Sequence, residues 1–231
     1  MTNAPFKIYS LICSRDNNYS ATTLELFRYF KSCNIEVKNL IGFKSIFNAY
    51  NDGFNRLKCD PNDIIIMCHD DIEVKMPQTN FLQELTSNLN EDGFIGVAGT
   101  AALTESCCWW ENKFALRGKV EHGPKDKPYM TFFGLPGETV VMDGVFLACR
   151  ASTLMRLTLP KPDSFTGLWD FYDLYFTFQS YLLGFHNKVV PIMIRHESPG
   201  NMRDSWHETR LQFYELYRVK IPATVYDRST K

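Results

Sequence analysis

The segment Asp63–Glu73 reads DIIIMCHDDIE and decides the fold of this chain. Its four consecutive apolar residues, 64–67, predict a strand that is buried on both faces, as in a parallel sheet covered by helices. Four side chains that can bind a ligand follow this strand: His69, Asp70, Asp71 and Glu73. Because open α/β sheets bind their ligands just beyond the carboxyl ends of the strands, we expect a binding site at this cluster.

The acids at this strand end favour a bound cation. Clustered carboxylates repel one another, and burial would raise their pKa values unless a cation lies among them. We therefore interpret the cluster as a divalent-metal site that holds a phosphorylated substrate. Taken alone, it fits a solvated strand end equally well, because grouped acids also occur in structural networks. We expect His69 to form a structural hydrogen bond, since it precedes the acids.

Length, charge and cysteine content exclude several classes of protein. A chain of 231 residues predicts a single domain, 1–231, because α/β domains of this length often do not split. The net charge of -1 argues against nucleic-acid binding. No stretch approaches the ~18 apolar residues of a transmembrane segment. Seven cysteines without a CxxC pair argue against a disulfide framework, so we expect a cytoplasmic protein.

The first hundred residues alternate between strand and helix patterns. Apolar spacing predicts strands at 6–13, 35–41 and 64–67, and helices at 20–33, capped by Ser20, and at 45–57. Strand–helix–strand order implies right-handed crossovers. We therefore predict an α/β fold with a mostly parallel central sheet flanked by helices.

The rest of the chain is less regular. We predict strands at 94–98, 139–149 and 188–195, and helices at 81–89 (capped by Asn80), 152–157, 167–183 and 205–217. Residues 100–136 are rich in aromatic side chains, but their apolar positions follow neither helical nor strand spacing. A long irregular segment of this kind in a compact domain is typically functional, so we expect it to face the substrate. These aromatic side chains either pack in the core, which we favour for most of them, or stack on sugar rings.

Polar residues at other predicted turns are candidate ligand contacts. The turn Ser14-Arg15-Asp16 follows the first strand, where α/β proteins often bind a nucleotide, although a plain loop explains it equally well. Asp143-Gly144 interrupts the strand 139–149, which suggests either a ligand touching the backbone or a bulge with a hydrogen-bonded carboxylate.

Two further acids and a histidine complete the candidates. Asp170 and Asp173 lie one turn apart at the start of the predicted helix, where the helix dipole favours negative charge. Capping would explain one of these acids. The last strand ends in the sequence His196-Glu197-Ser198-Pro199-Gly200, a second set of residues that can bind a ligand.

With these segments placed, the chain resembles the nucleotide-sugar glycosyltransferases of the GT-A type, in the broad family-two-like group. Several blocks in the order of that family carry the resemblance: Ser14-Arg15-Asp16, Ala49-Tyr50-Asn51-Asp52-Gly53, His69–Glu73, Asp143–Ala148, Phe171-Tyr172-Asp173 and His196–Gly200. The resemblance implies a GT-A fold with a nucleotide-binding part near 1–100, an acceptor and catalytic part near 101–218, and a polar tail at 219–231.

The resemblance also implies roles for individual residues. The acidic block corresponds to the DxD motif, which predicts Asp70, Asp71 and His196 as ligands of Mn²⁺ or Mg²⁺, with Glu73 as a further candidate. The donor-binding residues would be Ser14, Arg15, Asp16, Asn51, Asp70, Asp143 and Gly144, although Asp143 could instead orient the acceptor. Asp173 falls where inverting relatives carry the catalytic base, with Asp170 as the second candidate. In this chain Tyr172 replaces the usual acidic neighbour of that base.

The expected activity is metal-dependent transfer of a sugar from a nucleotide-diphosphate donor to a glycan or other hydroxyl acceptor, with inversion. One alternative is a metal-dependent nucleotidyltransferase. Those enzymes usually carry a glycine-rich loop after the first strand, whereas residues 14–18 contain no glycine. The other alternative is a nucleotide-sugar-binding module with little or no turnover.

Overall fold

A computed structural model describes residues 6–89, 91–198, 200 and 202–230. It contains a 3₁₀ helix at Val225–Thr230 and six α-helices: α1 (Ala21–Ser32), α2 (Ile46–Arg56), α3 (Gln78–Ser87), α4 (Ala151–Leu154), α5 (Tyr172–Leu182) and α6 (Asp204–Tyr217). The first strands are β1 (Ile8–Ser14), β2 (Glu36–Ile41), β3 (Ile64–Cys68), β4 (Ile72–Val74), β5 (Phe94–Gly96), β6 (Ala98–Thr100) and β7 (Ala102–Leu103). The later strands are β8 (Leu116–His122), β9 (Tyr129–Gly134), β10 (Gly137–Glu138), β11 (Val141–Met142), β12 (Phe146–Arg150), β13 (Lys188–Val189), β14 (Ile194–His196) and β15 (Ala223–Thr224).

The central sheet has seven strands in the order β10-β13-β5-β12-β3-β1-β2. Every residue of β3 is buried, as its unbroken apolar run predicts. The pairings of β2 with β1 and of β1 with β3 are parallel, as predicted. The sheet as a whole is mixed, because β12 runs antiparallel between β3 and β5. The expectation of a mostly parallel sheet therefore holds for one half of it.

A second sheet carries the other side of the site. Its order is β11-β6-β8-β14-β4, and β9 pairs with β8. The segment predicted to be irregular, 100–136, thus contains the antiparallel hairpin β8–β9. In the short antiparallel pair β4–β14, His196 lies opposite Ile72. This register places the end of β14 next to the acidic turn that follows β3.

Several predicted boundaries were wrong. The strand predicted at 139–149 is split into β11 and β12, which belong to different sheets, with Asp143-Gly144 at the turn between them. The strand predicted at 188–195 is likewise broken into β13 and β14. Pro77, rather than Asn80, is the N-cap of α3. The cap of α1 is confirmed, because the Ser20 hydroxyl accepts a hydrogen bond from the backbone N–H of Thr23.

One connected hydrophobic core lies under both sheets, and its largest members include Phe47, Phe81, Phe146 and Phe176. Aromatic side chains from α1, α3 and β12 meet there, with Phe81 contacting both Phe30 and Phe146. Within the described ranges, no helix has the length and the apolar character needed to cross a bilayer.

Candidate functional site

The candidate site lies where four chain segments meet. The turn after β3 carries His69 and Asp71, β14 ends in His196, and the β11–β12 turn carries Asp143. The fourth segment is the start of α5, with Asp173 in its first turn. Sheet pairing brings these segments together, because β3 pairs with β12 and β4 pairs with β14.

Two histidines and one acid form a compact cluster of possible metal ligands. One ligand atom each of His69, Asp71 and His196 lies within 4.8 Å of the others. Nδ1 of His69 is 3.1 Å from Nε2 of His196, and that nitrogen is 3.3 Å from Oδ1 of Asp71. The turn at residues 70 and 71, between β3 and β4, brings Asp71 close to His69, with 3.9 Å between Nδ1 of His69 and Oδ1 of Asp71.

The charges in this cluster are strongly coupled. Burial would raise the pKa of Asp71, but the hydrogen bond and charge of His196, together with the Ser198 hydrogen bond, hold it well below its usual range. Burial would lower the pKa of His196, and Asp71 raises it above its ordinary value instead. Burial and the neighbouring His196 lower the pKa of His69. The ligand atoms of Asp71, His196 and His69 therefore surround one position, and the pKa is lowered in Asp71 and His69 and raised in His196.

Asp173 lies close to Asp143, in a half-buried position. Its Oδ2 accepts a hydrogen bond from the backbone N–H of Gly144 at 2.8 Å, and its Oδ1 accepts one from the N–H of Leu174 at 2.9 Å. Burial and the charge of Asp143 raise the pKa of Asp173 to about 7, although these two hydrogen bonds oppose the rise. A carboxyl group with this pKa is suited to general acid–base catalysis near neutral pH.

Gly144 and Tyr172 connect this carboxylate to the histidine cluster. The Tyr172 hydroxyl donates a hydrogen bond to the carbonyl oxygen of Gly144 at 3.1 Å and is 3.2 Å from Nε2 of His69. A Cβ atom at position 144 would lie 2.2 Å from that hydroxyl and 2.9 Å from the Cβ of Asp173. The site therefore requires glycine at position 144, because a side chain there would collide with both residues.

The start of α5 is set by an unusual backbone conformation. Phe171, the N-cap residue, has a φ of 62°, in the left-handed region that non-glycine residues rarely adopt. This conformation costs on the order of 1 kcal/mol. It turns the chain abruptly into α5, so that Tyr172 and Asp173 both reach Gly144 within the first turn.

A cavity of about 360 Å³ opens beside these groups. Its polar side is formed by His69, His122, Asp143, Asp173 and His196. Its other side is formed largely by aromatic rings: Trp109, Trp110, Phe133, Phe171 and Trp206. The cavity therefore gives a substrate access to both the histidine cluster and Asp173.

Two predicted candidates, Asp70 and Glu73, are not among the side chains whose ligand atoms converge. Asp70 lies beside Ser14; burial raises its pKa, and the Ser14 hydroxyl opposes that rise. Glu73 forms a salt bridge of 2.9 Å with the buried Arg195. Pro199, part of the second predicted set, lies outside the described residues. The described ligand group thus contains two of the three predicted metal ligands, Asp71 and His196, and adds His69.

The remaining predicted residues lie around the cavity or apart from it. Arg15 and Asp16 are exposed in the turn after β1, where Oδ1 of Asp16 accepts a hydrogen bond from the N–H of Asn18. Asn51 lies on α2 and accepts a hydrogen bond from Asn55. Asp170 does not line the cavity; its Oδ2 accepts a hydrogen bond from the Ser205 hydroxyl at 2.9 Å, which anchors the start of α6.

From the sequence, His69 is able to bind a ligand but is expected to form a structural hydrogen bond, and Tyr172 has no predicted role. Strand alternation gave no signal for His69, because the chain leaves β3 at Cys68 and residues 70 and 71 form a turn. No sequence signal pointed to Tyr172, because its contact with His69 spans 103 positions.

The donor set of the cluster fits a divalent transition metal. Two imidazole nitrogens and one carboxylate oxygen converge there. Mg²⁺ and Ca²⁺ take oxygen ligands almost exclusively, whereas imidazole suits later first-row metals and Mn²⁺ accepts a mixed set. The set therefore suits a transition metal better than it suits Mg²⁺ or Ca²⁺.

Comparison with known proteins gives a consistent result. Residues 10–221 match the sequence model of the family described as "Glycosyltransferase like family". No curated protein matches the sequence significantly. A solved structure of GalNAc-T7 with UDP, GalNAc and Mn²⁺ is similar in fold, with 12% identity and a TM-score of 0.57 over 93% of this chain and 48% of that one.

Two further solved structures are more distant. An inositol-1-phosphate CTP transferase from T. maritima has 6% identity and a TM-score of 0.43, over 91% of this chain and 98% of that chain. A protein from STIV has 11% identity and a TM-score of 0.45, over 86% of this chain and 97% of that chain. This chain spans about half the length of GalNAc-T7, whose similarity establishes the GT-A fold.

Proposed function

Because the chain belongs to the glycosyltransferase-like family, we propose that it transfers a sugar from a nucleotide-diphosphate donor to an acceptor hydroxyl. One observation carries this proposal: His69, His196 and Asp173 line the same cavity. A group that can hold a metal and a group that can take a proton thus meet where a substrate fits. Sugar transfer from a nucleotide donor needs both.

We assign Asp173 the role of catalytic base. An acceptor hydroxyl must lose its proton as it attacks the anomeric carbon, and a carboxylate with a pKa of about 7 takes a proton effectively at neutral pH. Both oxygens of Asp173 accept backbone hydrogen bonds, which fixes the plane of the carboxylate. Each oxygen retains a further lone pair for the proton. Direct attack assisted by one base implies inversion at the anomeric carbon.

His69, Asp71 and His196 are the residues that would hold the metal, which we propose to be Mn²⁺. Bound there, the cation would act as a Lewis acid that neutralises charge on the diphosphate leaving group. The protein prepares this position by keeping Asp71 ionised, since His196 and Ser198 lower the pKa of that carboxyl group. Mn²⁺ in the GalNAc-T7 structure supports the choice of metal for this fold.

The nucleotide side of the donor would lie along the edge formed by β1, β3 and α2. Ser14 and Asp70 are neighbours there, and we propose that they contact the nucleoside and diphosphate together with Arg15, Asp16 and Asn51. Asp143 and Gly144 would contact the donor sugar, since Asp143 lines the cavity and Gly144 is bonded to both Asp173 and Tyr172. We propose a cytoplasmic enzyme, because all seven cysteines are free thiols.

A donor screen tests this proposal. The protein is incubated with Mn²⁺ and UDP-, GDP- or dTDP-sugars, and free nucleoside diphosphate is measured. We expect slow, chelator-sensitive hydrolysis of one donor class, accelerated by the correct acceptor. Pyrophosphate release from a nucleoside triphosphate and a sugar phosphate would indicate a nucleotidyltransferase instead. Binding of a donor without turnover, even with acceptors supplied, would indicate a binding module.

A further inference from the structure

The cavity beside Asp173 has an aromatic wall that the proposed chemistry does not use. We define the aromatic wall as Trp109, Trp110, Phe133, Phe171 and Trp206. It is assembled from four separate segments, namely the loop before β8, strand β9, the residue before α5 and the first turn of α6. The ring centroids of Trp110 and Trp206 are 5.5 Å apart, with planes inclined at 34°. Both rings are half-buried, so they retain surface that a ligand can cover.

Hydrogen bonds hold the aromatic wall in place. Arg210 of α6 donates a hydrogen bond of 2.8 Å to the carbonyl oxygen of Ser106, which ties α6 to the loop that carries Trp110. At the start of α6, the Ser205 hydroxyl is anchored to Asp170. Trp206 directly follows Ser205, so this bond also fixes the position of its ring. The wall is therefore preorganised, which lowers the entropic cost of binding a ligand.

The acids on the catalytic side of the cavity disfavour an anionic acceptor beside Asp173. Among the described residues that line it, the ionisable side chains are histidines and acids, and none is lysine or arginine. Asp143 and Asp173 would repel a phosphate or carboxylate.

The aromatic wall matches the chemistry of a neutral pyranose. The faces of aromatic rings are electron-rich and attract the weakly positive C–H bonds on the apolar face of a sugar ring. The hydroxyls at the rim of the same sugar remain free for the polar side of the cavity. A volume of about 360 Å³ lies at the lower end of the ~300–1,000 Å³ range of small-molecule sites, so the cavity accommodates the end of an acceptor.

We propose that the aromatic wall binds an uncharged sugar residue of the acceptor and presents one of its hydroxyls to Asp173. The acceptor is thus a neutral glycan or glycoside rather than a phosphorylated or uronate-bearing one. This inference rests on the proposed function, because it assigns the wall to the acceptor side of the same reaction.

Ligand-observed NMR on the full chain tests the subsite without a donor. The probes are methyl hexopyranosides, the matched methyl uronides, and octyl glycosides. We expect the neutral pyranosides to bind at least tenfold more tightly than the uronides. Equal binding of the uronides would overturn the proposal. So would octyl glycosides that bind through the alkyl chain alone, which would identify the wall as a lipid site.

Substitutions of Trp206 separate ring stacking from simple burial. Trp206→Leu keeps an apolar side chain but removes the aromatic face, and we expect it to weaken pyranoside binding roughly tenfold. Trp206→Phe should restore part of this loss. Phe114→Leu is the matched control, because Phe114 is 99% exposed and does not line the cavity. Unchanged pyranoside binding by a folded Trp206→Leu protein would overturn the proposal.

Donor hydrolysis distinguishes failure of this inference from failure of the proposed function. The unsubstituted protein and the Phe114→Leu control should both hydrolyse the donor with Mn²⁺, and Trp206→Leu should raise the KM for a neutral acceptor roughly tenfold. If the donor is hydrolysed but no pyranoside binds, the assignment of the aromatic wall as an acceptor subsite is wrong. The proposed transferase activity would still stand. If pyranosides bind but no nucleotide sugar is hydrolysed or transferred, the proposed function is wrong and the acceptor role fails with it.

Discussion

The hydroxyl oxygen of Tyr172 lies 3.2 Å from Nε2 of His69. This hydroxyl donates its proton to the carbonyl oxygen of Gly144, which can only accept a hydrogen bond. The hydroxyl therefore has no proton left to donate to His69. His69 must therefore donate its Nε2–H to Tyr172. This tautomer leaves a lone pair on Nδ1, the nitrogen that faces His196 and Asp71. Tyr172 thus positions His69 as a ligand.

Tyr172→Phe should lower the affinity for Mn²⁺ roughly tenfold, since removing a partner that orients a ligand typically costs 10- to 100-fold. Titration calorimetry of Mn²⁺ measures this loss. Tyr175→Phe, one turn along the same helix, is the control and should bind Mn²⁺ normally, because Tyr175 packs against Phe47 and Phe165. Equal affinities of the two variants would argue against the positioning role.

Two neighbouring acids should behave differently when they are substituted. Asp71→Asn should abolish tight Mn²⁺ binding, because Asp71 is the carboxylate of the ligand group. Asp70→Asn should retain Mn²⁺ binding and weaken nucleotide binding, since Asp70 lies beside Ser14. The measurement is Mn²⁺ titration followed by nucleoside diphosphate titration. Loss of metal binding in Asp70→Asn alone would assign the ligand to residue 70.

The two candidate bases can also be separated. Asp173→Asn should reduce transfer by about 10²- to 10⁴-fold and leave donor binding intact. Asp170→Ala should keep most of the turnover but lower the free energy of unfolding by about 1 kcal/mol, because it breaks the bond to Ser205. Steady-state kinetics and thermal melts of both variants check this. Normal turnover by Asp173→Asn would show that another base operates.

Activity should rise with pH through about 7, because the base must be ionised and the pKa of Asp173 is about 7. Asp143→Asn removes a negative charge that raises this pKa, so the rising limb of the pH–rate profile should move to lower pH. The amide oxygen of asparagine can still accept the hydrogen bond from Val145. Asp163→Asn, an exposed acid, is the control and should not move the profile.

Much of the fold could be predicted because apolar runs report burial directly. The run at 64–67 predicted the central strand, and the helical spacing in the two segments before it predicted α1 and α2. The hairpin β8–β9 was missed because it lacks a clean alternation: β9 is mostly exposed or half-buried, and Gly118 interrupts β8 with a φ of 96°. The three-residue strand β4 was too short to give a pattern.

Prediction of the candidate site was limited in another way. Spacing along the chain suggested Asp71 and Asp173, but it could not show which acids face inward. Asp70 and Asp170 lie in the same acidic stretches, but the structure places Asp70 near Ser14 and bonds Asp170 to the Ser205 hydroxyl. Long-range contacts such as the one between His69 and His196, 127 residues apart, come from sheet pairing and leave no local signature.

The tight packing around Gly144 matters for anyone who wants to redesign this protein. A methyl group added there would press on the Tyr172 hydroxyl and on Asp173. A mutant library aimed at new acceptors should therefore exclude position 144 and randomise positions 110 and 206. Substitutions at those two positions change the aromatic wall of the cavity. They leave the histidine cluster and Asp173 unaltered.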